Sequence, residues 1–184
     1  MALVPYLDEA DLDVGYRDLL SSPTINVMRA VANSPDGLQN FTVLPAWIQA
    51  GCELDPRLRE LVIIQVGYLT RSGYELAHHI GFGLEVGVSE SDIKNLMAFD
   101  TGEPHDLSAL DELALEATRQ ITLNRETDAE TFRALEAQLG RARAVDLLIV
   151  ASCYNAVVRV LGTLQVDVEP EWAHYLELMP LTSS

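Results

Sequence analysis

An all-α fold is what this sequence predicts, and three observations carry that expectation. Apolar residues recur with helical spacing along most of the 184-residue chain, and no run alternates as a half-buried strand would. Helix start and stop signals punctuate the chain at short intervals. With 48% hydrophobic and 22% charged residues, the composition is that of a globular protein long enough for one sizeable core.

The elements follow in order. A weak first helix is expected over Glu9 to Leu20, stopping near Ser21-Ser22-Pro23. Thr24 reads as the cap of "INVMRAVAN". Pro35 opens "PDGLQNFTVLPAWIQAG", which Gly51 ends and Pro45 kinks or divides. Asp55-Pro56 is an N-cap followed by proline at the first helical position. The helix behind it, "RLRELVIIQVGYLT", is apolar on more than one face and should lie centrally. "RSGYELAHHIGFGLEVG" opens at Ser72 and ends at Gly87, and Ser89 caps "ESDIKNLMAF". After the loop "DTGEPHD" comes "LSALDELALEATRQITLN", and then Thr127-x-x-Glu130 as a capping box. "ARAVDLLIVASCYNAVVRVLG" is the most apolar helix, followed by a tail that Pro170 and Pro180 interrupt. That tail should cross the bundle or meet a neighbouring subunit.

A formal net charge of −16 repels a phosphate backbone, so no nucleic-acid partner is expected. No apolar run reaches the roughly 18 residues of a membrane span, so no membrane partner is expected either. The opening "MALVPYLDEADLD" lacks the basic and apolar regions of a signal peptide, and a cytoplasmic protein is expected. Cys52 and Cys153 form no C-x-x-C and read as buried small hydrophobes.

The chemistry concentrates in Arg71–Gly87. On a helix Glu75 shares a face with His79, while His78 points about 100° away from His79. A carboxylate beside an imidazole raises its pKa, as a proton shuttle near neutral pH requires. Ser72-x-x-Glu75 is equally a capping box. Gly81 and Gly83 are poor helix formers and suit close packing of another backbone or a ligand. Two Glu-x-x-His pairs, at Glu75 and Glu171, raise a di-iron alternative with Glu60 and Glu116, but the second pair lies in a short tail. No metal and no cofactor is expected.

From Leu54 to Gly87 the sequence resembles the carboxymuconolactone decarboxylase family, which includes the alkylhydroperoxidase D-like proteins. The residues that carry the resemblance are the Arg-Glu pair opening an apolar helix, the Tyr-Glu-x-Ala-His-His segment and the Gly-Val-Ser turn. "CYNAVVRVLGTLQVDVEPEW" resembles that family's last core helix and tail. The resemblance implies an alkylhydroperoxidase D-like helical bundle forming one domain over 1–184, with an N-terminal extension at 1–23 and a tail at 165–184. It also implies a homo-oligomer, as a dimer, trimer or hexamer.

In the peroxidase branch a C-x-x-C, a histidine and a glutamate act together. Their places here fall on Ser72 and Glu75, on His79 and on Glu60, so both sulfurs are missing and no peroxidatic thiolate stands there. The thiol-less decarboxylase branch is the closer likeness. It implies a cofactor-independent carboxy-lyase or proton-transfer enzyme for a small organic acid or lactone of aromatic-compound degradation. His79 would be the acid/base, oriented by Glu75 or Glu60, with His78 and Tyr74 as hydrogen-bond donors to an enolate-like oxygen. Ser72, Arg71, Asn155 and Arg159 would complete the substrate site, the arginines as carboxylate clamps. A peroxidase-like antioxidant and a catalytically silent ligand binder are the alternatives.

Overall fold

The structure is a computed structural model that describes residues 2–20 and 24–181. Among the described residues there are nine α-helices and no strand, as expected. They are α1 Asn26–Val31, α2 Pro35–Phe41, α3 Val43–Ala50, α4 Pro56–Leu69, α5 Gly73–Glu85, α6 Glu90–Thr101, α7 Ala109–Asn124, α8 Ala129–Leu139 and α9 Arg141–Leu164. Short 3-10 turns occupy Glu9–Asp11, Val14–Leu20 and Ala173–Glu177.

The central position expected of α4 is observed. It packs against α5, α7 and α9, and a continuous run from Leu58 to Gly67 is buried. Asp55 caps it by accepting from the Leu58 N–H at 3.0 Å. One apolar core joins α4, α7, α8 and α9 through Val62, Ala114, Leu135 and Leu147. A second joins α4, α5 and α6 through Ile64, Leu76, Ile80 and Ile93.

Several local expectations are corrected. The first helix is two 3-10 turns, and its expected stop at 21–23 lies outside the described residues. Thr24 does not cap α1: Ile25 holds the cap position without a side-chain bond, and the Thr24 hydroxyl donates to the Leu20 carbonyl at 2.7 Å. The stretch through Pro45 is divided at Thr42, because a proline without an N–H has to sit in the first turn of a new helix. Asp128 caps α8 in place of Thr127: its carboxylate accepts from both Glu130 N and Thr131 N, at 2.8 and 2.9 Å, while the Thr127 hydroxyl donates to the Ala117 carbonyl. By length and composition α9 is apolar enough to cross a membrane, unlike what the run length suggested, but half of its most apolar window is buried.

The tail does cross the bundle. Its 3-10 turn lies on α5, and Gly81 makes the contact possible: a Cβ there would stand 2.5 Å from the Trp172 ring and 2.8 Å from Tyr175. The N-terminal segment meets the same tail, with the Tyr6 hydroxyl bonded to Asp167.

Candidate functional site

Close approach of α4 and α5 creates the site. Gly67 faces the first turn of α5, where a Cβ would crowd Leu76 and Glu75 at 3.2–3.3 Å. Arg71, in a left-handed conformation at φ 57°, reverses the chain between the two helices. Ser72 caps α5 by accepting from the Glu75 N–H at 3.4 Å. The reciprocal half of the capping box is missing, since the Ser72 N–H donates to the Gly67 carbonyl instead. The Glu75 side chain is therefore free to turn inward.

Inside, His79 is bracketed by two carboxylates. Its Nδ1 lies 2.6 Å from Glu60 Oε2, and its Nε2 lies 3.1 Å from Glu75 Oε1. The first contact is a well-aligned hydrogen bond. The second is an ion-pair approach off the N–H direction, which leaves Glu75 Oε1 buried without a hydrogen-bond partner. Behind Glu60, Arg59 Nε donates to its other oxygen at 3.2 Å, and Arg59 is itself buried. Burial opposes charge on His79, but the Glu75 charge, its close approach to Nε2 and the hydrogen bond to Glu60 outweigh it and push the imidazole up to about 9. Burial likewise opposes charge on Glu60, and the bond to His79 with the nearby Arg59 still brings it below the ordinary carboxylate value. An imidazolium between two carboxylates is the state near neutral pH.

Glu75 and His79 form the floor of a cavity of about 390 Å³, with Glu60 and Arg59 behind it. The walls are largely apolar: Val27 and Met28 from α1, Phe41 from α2, Phe82 from α5, Val157 and Leu161 from α9. Glu75, His78, His79, Tyr74, Tyr154, Gln49 and Thr42 supply the polar side chains. Among the described residues no lysine or arginine lines it.

The two histidines diverge as helix geometry requires. His78 Nε2 lies 2.7 Å from Glu169 Oε2 in the tail, and its ring is sandwiched between Tyr74 and Trp172 at 4.5 and 4.6 Å. Burial lowers its pKa, so the ring is neutral near pH 7 and Nε2 carries the proton. Tyr74 donates to Glu169 Oε1 at 3.1 Å and accepts from the Val27 N–H at 3.1 Å. Both donors expected to meet an enolate-like oxygen are thus already taken up in fastening α1 and the tail to α5.

The expected carboxylate clamps stand elsewhere. Arg71 is exposed and lines no part of the cavity. Arg159 is exposed on α9, where it donates to Asn155 Oδ1 at 3.0 Å. Asn155 in turn donates to Thr122 Oγ1 and the Ala151 carbonyl, as a helix-packing residue does. Glu171 and His174 are exposed in the tail, and Glu116 pairs with Arg119, so they do not join Glu60 and Glu75 in one cluster. Sequence reasoning overlooked Gln49, Arg59, Tyr154 and Glu169. Arg59 carried a signal, as the residue beside Glu60 in the Arg-Glu helix start, and so did Tyr154, a phenol on the most apolar helix that needs a hydrogen-bond partner once buried.

Comparison with known proteins bears on the fold. Residues 41–120 match the carboxymuconolactone decarboxylase family. No curated protein matches the chain in sequence. Among solved structures, the debrominase Bmp8 in a cysteine-to-alanine form with 2,3,4-tribromopyrrole superposes with a TM-score of 0.76 at 17% identity, over 96% of this chain and 97% of that one. An uncharacterized peroxidase-related protein from Silicibacter sp. TM1040 gives 0.71 at 18% identity, over 94% and 97%. A peroxidase-related protein from Ralstonia eutropha JMP134, described as an alkylhydroperoxidase AhpD core, gives 0.72 at 14% identity, over 94% of each chain. Residues 41–120 thus match the carboxymuconolactone decarboxylase family model, and the fold is that of the solved alkylhydroperoxidase D-like helical proteins.

Proposed function

We propose that the chain is a cofactor-independent proton-transfer enzyme acting on a small, largely apolar organic molecule. The observation that carries this reading is the pairing, on one cavity floor, of a carboxylate whose Oε1 is buried without a hydrogen-bond partner and an imidazolium nitrogen 3.1 Å from it. Glu75 accepts a proton from the substrate. The C–H electron pair stays on the substrate, where the His79 charge stabilises it, and the proton returns from the Glu75–His79 pair. Glu60 and Arg59 hold the ring orientation and balance its charge.

The lining favours a lactone or another weakly charged molecule over a multiply charged acid, since among the described residues His79 is the one cation facing the cavity. A carboxy-lyase reaction on a lactone carboxylate would have to rely on that single charge. The solved structure of Bmp8 with 2,3,4-tribromopyrrole supports a flat ring as a ligand for this fold. Thiol peroxidase chemistry is disfavoured. Burial pushes Cys153 up to about 11 and raises Cys52 too, so both are protonated thiols near neutral pH.

Deuterium exchange into γ-lactones and aryl ketones in D₂O, followed by proton NMR, tests the reading. Exchange above the buffer rate is expected, falling about 100-fold or more in Glu75→Gln and His79→Ala while helical circular dichroism is unchanged. Undiminished exchange in either variant, or none above buffer across the panel, would refute it.

A further inference from the structure

One hydroxyl on the cavity wall has a proton with no acceptor. Tyr154, in the middle of α9, is 5% exposed. Its ring stands edge-on to His79 with centroids 4.8 Å apart, and it lines the same cavity as Glu75 and Gln49. The phenol oxygen accepts a long hydrogen bond from Gln49 Nε2 at 3.4 Å, and among the described residues its O–H donates to none. The acceptors beside Gln49 are engaged, while Glu75 Oε1 and His78 Nδ1, both on the same wall, have no partner and take nothing from Tyr154. Gln49 Oε1 takes Arg59 Nη2 at 3.0 Å, Glu60 Oε2 takes His79, and Glu60 Oε1 takes Arg59 and Gln49. Tyr74, the other phenol on the wall, differs on this point because its proton goes to Glu169. Burial, reinforced by the Glu75 charge, raises the Tyr154 pKa above its ordinary value, so the group is a neutral donor. A buried donor left without an acceptor is costly, and a ligand acceptor relieves that cost.

We infer that Tyr154 is a catalytic residue whose O–H donates to a carbonyl oxygen of the substrate, and that the substrate is a largely apolar carbonyl compound with its α-proton facing Glu75. This rests on the proton-transfer reading and names its substrate class. Glu75 removes the α-proton, the C–H pair becomes the carbon–carbon π bond of an enolate, and the carbonyl π pair moves onto oxygen. Tyr154 holds that oxygen by its hydrogen bond and keeps its proton. Return of a proton to carbon restores the carbonyl, so no oxidant or reductant enters. Val157, Leu161 and Phe82 take the apolar body.

The test is the infrared carbonyl band of ¹³C-labelled acetophenone bound to the full-length protein. In the wild type the band should lie at lower wavenumber than in Tyr154→Phe, and Glu75→Gln should keep the wild-type position. Comparison of the wild-type band with the same ketone in hexane gives the answer without a variant. Where acetophenone exchanges its methyl protons, Tyr154→Phe should lower kcat about 100-fold with little change in KM. Equal bands in the wild type and Tyr154→Phe, a wild-type band matching that in hexane, or no binding of acetophenone would overturn the inference. A shifted band without any exchange would instead remove the proton-transfer reading and leave the donor assignment standing.

Discussion

Replacing Glu75 by glutamine removes the largest of the charges that keep His79 protonated, and the consequence is measurable without a substrate. In the wild type His79 holds its proton up to about 9, against an ordinary value of 6.5. The folded chain therefore binds this proton more tightly than the unfolded chain. The stabilisation is complete below pH 6.5 and is lost as pH rises through about 9. At about 1.36 kcal/mol per pH unit the interval is worth about 3 kcal/mol. His78 does not blur this window, because burial lowers its pKa. Urea denaturation at a series of pH values should show wild-type stability falling by that amount between pH 6.5 and 9. The profile of Glu75→Gln should be flatter, with the His79 ring protons titrating closer to 6.5 by NMR. A wild-type His79 midpoint at or below 6.5 would refute the claim that the two glutamates hold an imidazolium between them.

Two further outcomes follow from groups outside the cavity. Asp100 accepts from Gln65 Nε2 at 2.8 Å, but its Oδ2 and Gln65 Oε1 are both buried without partners, and burial pushes its carboxyl up to about 6. Ionisation above that pH costs stability, so Asp100→Asn should raise the unfolding free energy from urea denaturation at pH 7.5 by about 1–3 kcal/mol and lose the advantage below pH 4. A destabilised Asp100→Asn at pH 7.5 would show that the ionised carboxylate is stabilised by a partner in the folded chain. Gly81→Ala drives a Cβ into the Trp172 ring at 2.5 Å. Because that ring is stacked on His78, the variant should lose about 1–3 kcal/mol and expose tryptophan fluorescence, and unchanged emission would contradict the seating of the tail.

Much of the site was legible where helix periodicity alone brings groups together. Glu75 and His79 are four residues apart on one helix, so their proximity needs no tertiary information. Cap chemistry placed α4 and α6 for the same reason, since Asp55 and Ser89 act within three residues. Thr127 misled because two adjacent residues can both cap, and the side chain that reaches depends on where α7 leaves the chain. Arg71 and Arg159 misled because sequence shows which residues carry charge but not whether a helix face looks inward.

Alone, the sequence determined the helical class, the acidic surface and the shared face of Glu75 and His79, because each follows from composition or from spacing within one element. Only the tertiary structure decided which carboxylate holds each nitrogen of His79. It also decided that His78 and Tyr74 bind the tail through Glu169, 91 and 95 residues away. Tyr154, on the last long helix, reaches the cavity wall for the same reason. Such contacts depend on the packing of α4, α5 and α9 against one another, and no local pattern specifies that packing.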